Sequence, residues 1–349
     1  MERTARTASG NPRHLAAGAL LAVLGCALPA DANTPAGPVE RTVEFVYAVQ
    51  IEPPPPGSGP IDVYLPIASD GPNQDVLEFR IDAGIPGKLK TEARYGNRYW
   101  HGRLAAPAGE PIGIAVHYRV RRSQFEQDRL GRGARALSAA ERRRLAPFLQ
   151  PSKLVPVDHP IVNRVLADID PPRDAPLAQA RAIYDYVVDN MEYKKVGSGW
   201  GNGDTFWACS EKYGNCTDFH ALFISLARTQ GIPARFEMGV PLPDDRGAGT
   251  VGGYHCWVQF HLGGVGWFPI DASEARKHPG KRELLFGTQP ADRILFSIER
   301  DLDLGQKSGP LNYFIYPHVE VNGARYDAVR TEFRYRDIPV TTPAVIGGL

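Results

Sequence analysis

The sequence predicts an α+β protein in which an all-β, sandwich-like N-terminal region precedes a mixed helical and stranded domain. Three observations carry this. Residues 41–122 alternate apolar and polar positions in short runs broken by Pro and Gly. Helical periods with recognisable caps begin only after residue 138. With 349 residues the chain is also longer than one ordinary core organises, so two domains are expected.

The elements follow in order. Arg3, Arg6 and Arg13 precede the apolar stretch LAAGALLAVLGCALPA, and a small-residue exit follows at Ala30–Ala32, which reads as a secretory signal covering 1–32. An alternative is lipidation at Cys26, since VLGC is an imperfect lipobox with Leu24 where a smaller residue is usual. The expected location is therefore exported, periplasmic or extracellular, with a membrane-anchored lipoprotein as the alternative. No transmembrane span is expected in the mature chain. Residues 33–122 form the sandwich-like region, with strands in RTVEFVYAVQI, IDVYLPIA, DVLEFRIDA, RYWHGRL and IGIAVHYRVRR. Residues 123–150 read as a linker and a helix capped by Ser138, with Glu141 closing a capping box. Residues 151–300 form the second domain, with helices at 160–168 and from Asp174. The latter buries Ala180, Ile183, Tyr184, Val187 and Val188 on one face. Residues 301–349 read as a C-terminal β segment. The glycine-rich stretch 196–215 is too long for a plain connector, which suggests a functional loop. The segment 241–254 reads as a flexible rim.

The hydrophobic fraction of 43% and charged fraction of 23% are those of a globular protein. The formal charge is +1, and it falls to zero without residues 1–32, so nothing calls for nucleic acid or an anionic surface.

The chemistry gathers on three residues. Cys216 opens a helical period, CTDFHALFISLART, that Gly231 ends. A thiol in the first turn meets unpaired backbone N–H groups and the positive end of the helix dipole, which favour a thiolate. Downstream, residues 254–261 and 265–271 read as a hairpin with Gly263 at the apex, a register that sets His255 directly opposite Asp271. A carboxylate there would fix the imidazole tautomer and stabilise the imidazolium.

The runs GNCTDFHALFISLARTQGIPAR, YHCWVQF and GWFPIDASEA, in that order, resemble the transglutaminase-like superfamily over about residues 175–275. The resemblance implies a papain-like transglutaminase core and a triad of Cys216 nucleophile, His255 general base and acid, and Asp271 orienting group. It further implies acyl transfer from amide or peptide bonds through a thioester, without a cofactor. The substrate class would be a protein, a peptide or a cell-wall amide, with hydrolysis slightly favoured over cross-linking. Cys256 departs from the Ala found after the His in many relatives, and alternation turns it away from His255.

A Cys209–Cys256 disulfide bracing the site is expected alongside the alternative of two reduced core thiols. Trp200 and Trp207 are candidates for the substrate groove, and Asn202 or the Cys216 N–H for the oxyanion site. His220 is read as packing around the site. A zinc site of Cys209, His220, His255 and Cys256 lacks any paired-ligand spacing. A peptide- or glycan-binding module without catalysis is the alternative from another functional class.

Overall fold

The computed structural model describes residues 39–106 and 109–339. The signal segment, its exit and Cys26 lie outside the described residues. The described chain is one compact unit of mixed α and β structure, richer in strand than in helix. Segments that the sequence divides at 122, 150 and 300 are joined across those positions by shared sheets.

The strand Glu40–Ile51 buries Val43, Phe45, Tyr47, Val49 and Ile51 on one face, as its alternation requires. It pairs antiparallel with Ile112–Ser123 on one side and Val329–Asp337 on the other, with Val43 opposite Asp337 and Ile51 opposite Val329. Gln74–Ala83 and Ala248–Val251 complete a five-stranded sheet. Residues 248–251 are thus an edge strand within the segment expected to be a flexible rim. A second five-stranded sheet contains Ile61–Pro66, which is buried on both faces rather than alternating, because Ile61, Val63 and Leu65 join the main core while Tyr64 packs with Leu302, Leu304 and Phe314 on the other side. Arg41 fastens the first sheet from within, donating to Asp337 at 2.8 Å and Asp292 at 2.8 Å.

Six α-helices occur among the described residues. They are α1 (Ala139–Arg144), α2 (Pro160–Ile169), α3 (Pro176–Asn190), α4 (Thr205–Glu211), α5 (Cys216–Thr229) and α6 (Ala272–Lys277). The Ser138–Glu141 capping box of α1 forms in full, and α3 buries the five residues its period selects. Its N-cap is Ala175 rather than Asp174. Pro176 forces the residue before it out of helical geometry, and Asp174 takes a left-handed φ of 58°. Helix α4 lies inside the glycine-rich stretch, capped by Asp204, whose carboxylate accepts from the Phe206 N–H at 2.8 Å.

At the centre is a four-stranded antiparallel sheet in the order Gly266–Ile270, His255–Leu262, Ala234–Pro241, Arg293–Ile298. Helix α5 packs on it, with α2, α3, α4 and α6 around the helix. Every residue from Cys216 to Arg228 is buried, the polar Thr217, Asp218, His220, Ser225 and Arg228 included, because sheet and helices enclose the helix on all sides. That burial holds the N-terminus of α5 in one place relative to the sheet.

Candidate active site

Helix α5 starts at Cys216 because Asn215 and Asp218 close a reciprocal cap around it. The Asn215 side chain accepts from the Thr217 N–H at 2.9 Å, and the Asp218 carboxylate accepts from the Asn215 N–H at 3.0 Å. Cys216 is therefore the first helical residue. Its N–H is one of those without an intrahelical acceptor, and its sulfur sits at the positive end of a 14-residue dipole.

The hairpin register differs from the expected one. Leu262 pairs with Gly266 and Val258 with Ile270, so the turn is Gly263–Val265 and Trp257 is the position that faces residue 271. Gly264 and Gly266 adopt φ of 79° and 100°, which fix a three-residue turn shifted by one position from the one with Gly263 at its apex. The parity of the register is unchanged, so His255 and Asp271 keep to one face as diagonal neighbours. Contact is completed by the end of the strand. Asp271 lies just past Ile270 as the N-cap of α6, and its Oδ2 is 2.6 Å from His255 Nε2.

Five groups surround that carboxylate. Oδ2 also accepts from Arg293 Nη1 at 3.1 Å. Oδ1 accepts from Ser273 Oγ and the Glu274 N–H, each at 3.0 Å, and lies 3.5 Å from His220 Nε2. Burial alone would raise the Asp271 carboxyl. The charges of His255 and Arg293, the His255 hydrogen bond and the nearby His220 ring instead hold it well below the usual carboxylate range.

With Nε2 committed to Asp271, the other ring nitrogen of His255 remains for the thiol, and the two side chains lie close enough to shift each other's titration. Burial lowers the imidazole, but the Asp271 charge and hydrogen bond, joined by Cys216, outweigh it and push it up to about 9. Burial raises the Cys216 thiol. Hydrogen bonds from Cys256 and His255 and the imidazolium charge bring it well below the ordinary range. Cys216, His255 and Asp271 are 2%, 6% and 1% exposed, so these interactions are little weakened by water.

The remaining candidates fall elsewhere. Cys209 and Cys256 are both free thiols, so the expected disulfide between them is absent; Cys209 is half-buried on α4, while Cys256 turns towards α5. Cys256 also departs from simple alternation. His255 opens its strand, and at that end both 255 and 256 reach α5. Trp207 is an anchor of the loop: its Nε1 donates to the Tyr213 carbonyl at 2.9 Å, and its ring crosses that of Tyr213 edge-on. Trp200 donates to the Gly197 carbonyl at 3.1 Å and Asn202 to the Gly199 carbonyl at 3.2 Å, so both polar groups are spent within the loop. Asn202 nevertheless borders a cavity of about 540 Å³ that is lined also by Tyr313, Tyr316, His318 and Arg325.

Two residues of the site escaped the sequence reading. Tyr254 accepts from Asn215 Nδ2 at 3.0 Å, packs at a tilt on Tyr313 and meets Tyr316 edge-on, which connects the start of α5 to that cavity. Asp218, fully buried, accepts from the N–H groups of Gly201 at 2.7 Å and Gly203 at 2.9 Å and so ties the glycine-rich loop to α5. The Asn-x-x-Asp spacing was its available signal. Gly214 lies against it, and a Cβ there would come 2.2 Å from Asp218 Oδ2. Gly214→Ala is expected to displace the carboxylate, cost about 1–3 kcal/mol, and open residues 196–204 to proteolysis. Urea denaturation and limited digestion, read together, check this; an unchanged digestion pattern counts against the tether.

The family model of the transglutaminase-like superfamily matches residues 163–272, the stretch from α2 to the start of α6. These residues form a transglutaminase-like domain. The matched segment contains all three of Cys216, His255 and Asp271. An uncharacterized protein of Haemophilus influenzae is 31% identical over 195 residues, which is 46% of this chain and 53% of that protein. The chain thus spans about half the length of this curated relative. A candidate cysteine protease from Cytophaga hutchinsonii superimposes with a TM-score of 0.59 at 16% identity, covering 87% of this chain and 93% of that one. The shared fold therefore extends beyond the transglutaminase-like domain into the β-rich regions on either side. The periplasmic domain of TgpA from Pseudomonas aeruginosa is similar only at a TM-score of 0.32, with 17% identity over 71% of this chain and 92% of that domain.

Proposed function

We propose that the protein is an exported, thiol-dependent acyl-transfer enzyme acting on amide or peptide bonds, a cysteine peptidase, amidase or transglutaminase. The observation that carries this is the Cys216–His255–Asp271 relay, with the thiol low and the imidazole high, so that thiolate and imidazolium coexist near neutrality. The thiolate attacks the carbonyl carbon, and the Cys216 N–H with the α5 dipole stabilises the oxyanion. His255 protonates the leaving amine, and Asp271 holds the ring. Water or an acceptor amine activated by His255 then resolves the thioester. Substrate approach is assigned to the cavity bordered by Asn202, Tyr313 and Tyr316, because Tyr254 links these residues to the start of α5. A roomier hollow of about 950 Å³ on the strands Glu40–Ile51 and Ile112–Ser123 borders none of the three residues. Export rests on the signal-like residues 1–32. Among the described residues no helix is long and apolar enough to cross a membrane.

Iodoacetamide alkylation with peptide mapping between about pH 5 and 9 tests the reading. Cys216 is expected to label rapidly at about pH 6.5, where an ordinary thiol is only about 1% ionised, and His255→Ala to slow it about 100-fold. Slow labelling that titrates as an ordinary thiol in both proteins would leave the binding module as the better reading.

A further inference from the structure

Asp271 faces two imidazoles, and the catalytic reading employs only one. On the second side, His220 Nε2 is 3.5 Å from Asp271 Oδ1 and His220 Nδ1 is 3.3 Å from Cys256 Sγ. His220 lies four residues, one helical turn, after Cys216 on α5, so the Cys256 sulfur sits against the same face of the first turns as the Cys216 sulfur. Cys216, His255, Asp271, His220 and Cys256 gather around one carboxylate and the first turns of α5, with no member more than 6% exposed. Cys256 and His220 thus repeat the thiol–imidazole–carboxylate arrangement on the other oxygen of the same carboxylate. His220 Nε2 has no well-aligned hydrogen bond in this state, although it is fully buried.

We propose that Cys256 is the resolving thiol for Cys216, and that the two form a reversible disulfide when a hydroperoxide oxidises the site, which switches acyl transfer off. The inference rests on the reading of Cys216 as a thiolate nucleophile. In the first step the thiolate attacks one peroxide oxygen. An S–O bond forms, the O–O bond breaks, and the departing hydroxide takes the His255 proton and leaves as water. Cys216 is then a sulfenic acid. In the second step Cys256 gives its proton to His220 and attacks the Cys216 sulfur. The S–S bond forms, the S–O bond breaks, and the hydroxide leaves as water with the proton that His220 accepted. Two thiol sulfurs are oxidised by one peroxide, with two waters produced. Burial pushes the Cys256 thiol well above its ordinary range, so it needs a base in contact, and His220 is that base. Cys209 belongs to a different element, and burial pushes it up to about 11 with no imidazole hydrogen-bonded to it.

The test treats the reduced full chain with hydrogen peroxide, quenches, and reads intact mass and non-reducing peptide maps. Wild type is expected to lose about 2 Da, to yield a linked 216–256 peptide pair, and to regain Cys216 labelling after a dithiol reductant. Cys256→Ala, or the nearer-sized Cys256→Ser if the first does not fold, is expected to gain about 32 Da on Cys216 and not recover. His220→Gln is expected to form the linked pair about 10-fold more slowly. Irreversible oxidation of Cys216 in wild type as fast as in the Cys256 variant would overturn the proposal. So would a linkage through Cys209. Rapid iodoacetamide labelling of reduced Cys216 without any linked pair sinks this inference alone. Failure of that labelling sinks the catalytic reading beneath it.

Discussion

Asp271→Asn is expected to lower the rate of acyl transfer by roughly 10⁴-fold, and to slow Cys216 alkylation near neutral pH by about 100-fold or more. The reason lies in what surrounds the carboxylate. Both oxygens accept only from donors: Oδ2 from His255 and Arg293, and Oδ1 from Ser273 and the Glu274 N–H. An amide NH₂ in either orientation would face donors. The group able to adapt is His255, which can shed its Nε2 proton and accept instead. That tautomer puts the proton on the nitrogen facing Cys216, where a base is needed. The charge that overcame burial at His255 is lost as well, so its titration should fall from about 9 by roughly two units. Histidine-ring NMR would record this, and an imidazole still titrating near 9 would refute the role given to Asp271.

The same substitution has a pH signature in stability. His255 titrates higher folded than unfolded, so its contribution is complete below the unfolded value of 6.5 and is lost as pH rises through about 9. Asp271 titrates lower folded than unfolded, so its contribution is present above 3.8 and is lost as pH falls through the depressed value. The gap in melting temperature between Asp271→Asn and the parent should therefore be widest between roughly pH 4 and 6.5 and shrink as pH rises towards 9.

Much of this site was legible because its parts are local. A helix start needs only a cap and a period, and Asn215 through Gly231 contain both. The five apolar positions of α3 were readable for the same reason. Hairpin parity survived an error in register, since a shift that conserves parity leaves His255 and Asp271 on one face. The register itself depended on which glycines take positive φ, and GG-V-G offers several choices. Pairings distant in sequence left no trace. Val43 meets Asp337 across the chain, and nothing in either strand names the other. The position of Cys256 was obscured because alternation describes the middle of a strand better than its first residues. The glycine-rich stretch concealed α4, whose cap at Asp204 is evident only once the loop is pinned by Asp218.

Arg228→Met should destabilise the fold by about 3–5 kcal/mol, the largest effect expected of a residue outside the site. Arg228 lies in the last turn of α5 and is 4% exposed. Its guanidinium donates to the Glu299 carboxylate at 2.7 Å, to the Gln150 carbonyl at 2.7 Å, and twice to the Ala234 carbonyl. It thereby fastens three segments to one helix end: the turn after α1, the start of the central strand Ala234–Pro241, and the residue following Arg293–Ile298. Removing it strands Glu299, 2% exposed, as a buried charge without its partner. Adding Glu299→Gln should recover part of the loss, because an unpaired charge costs more than an unpaired amide. Urea denaturation of the parent, both single variants and the double variant gives the coupling. A single Arg228→Met within about 1 kcal/mol of the parent would contradict the argument. The chemistry should be untouched in whatever fraction remains folded. Cys216 is at the opposite end of α5, about 18 Å away at 1.5 Å per residue, and its thiolate depends on His255 and the helix start. An alkylation profile unchanged in shape, beside a large fall in the urea midpoint, would separate what holds the helix from what activates the thiol.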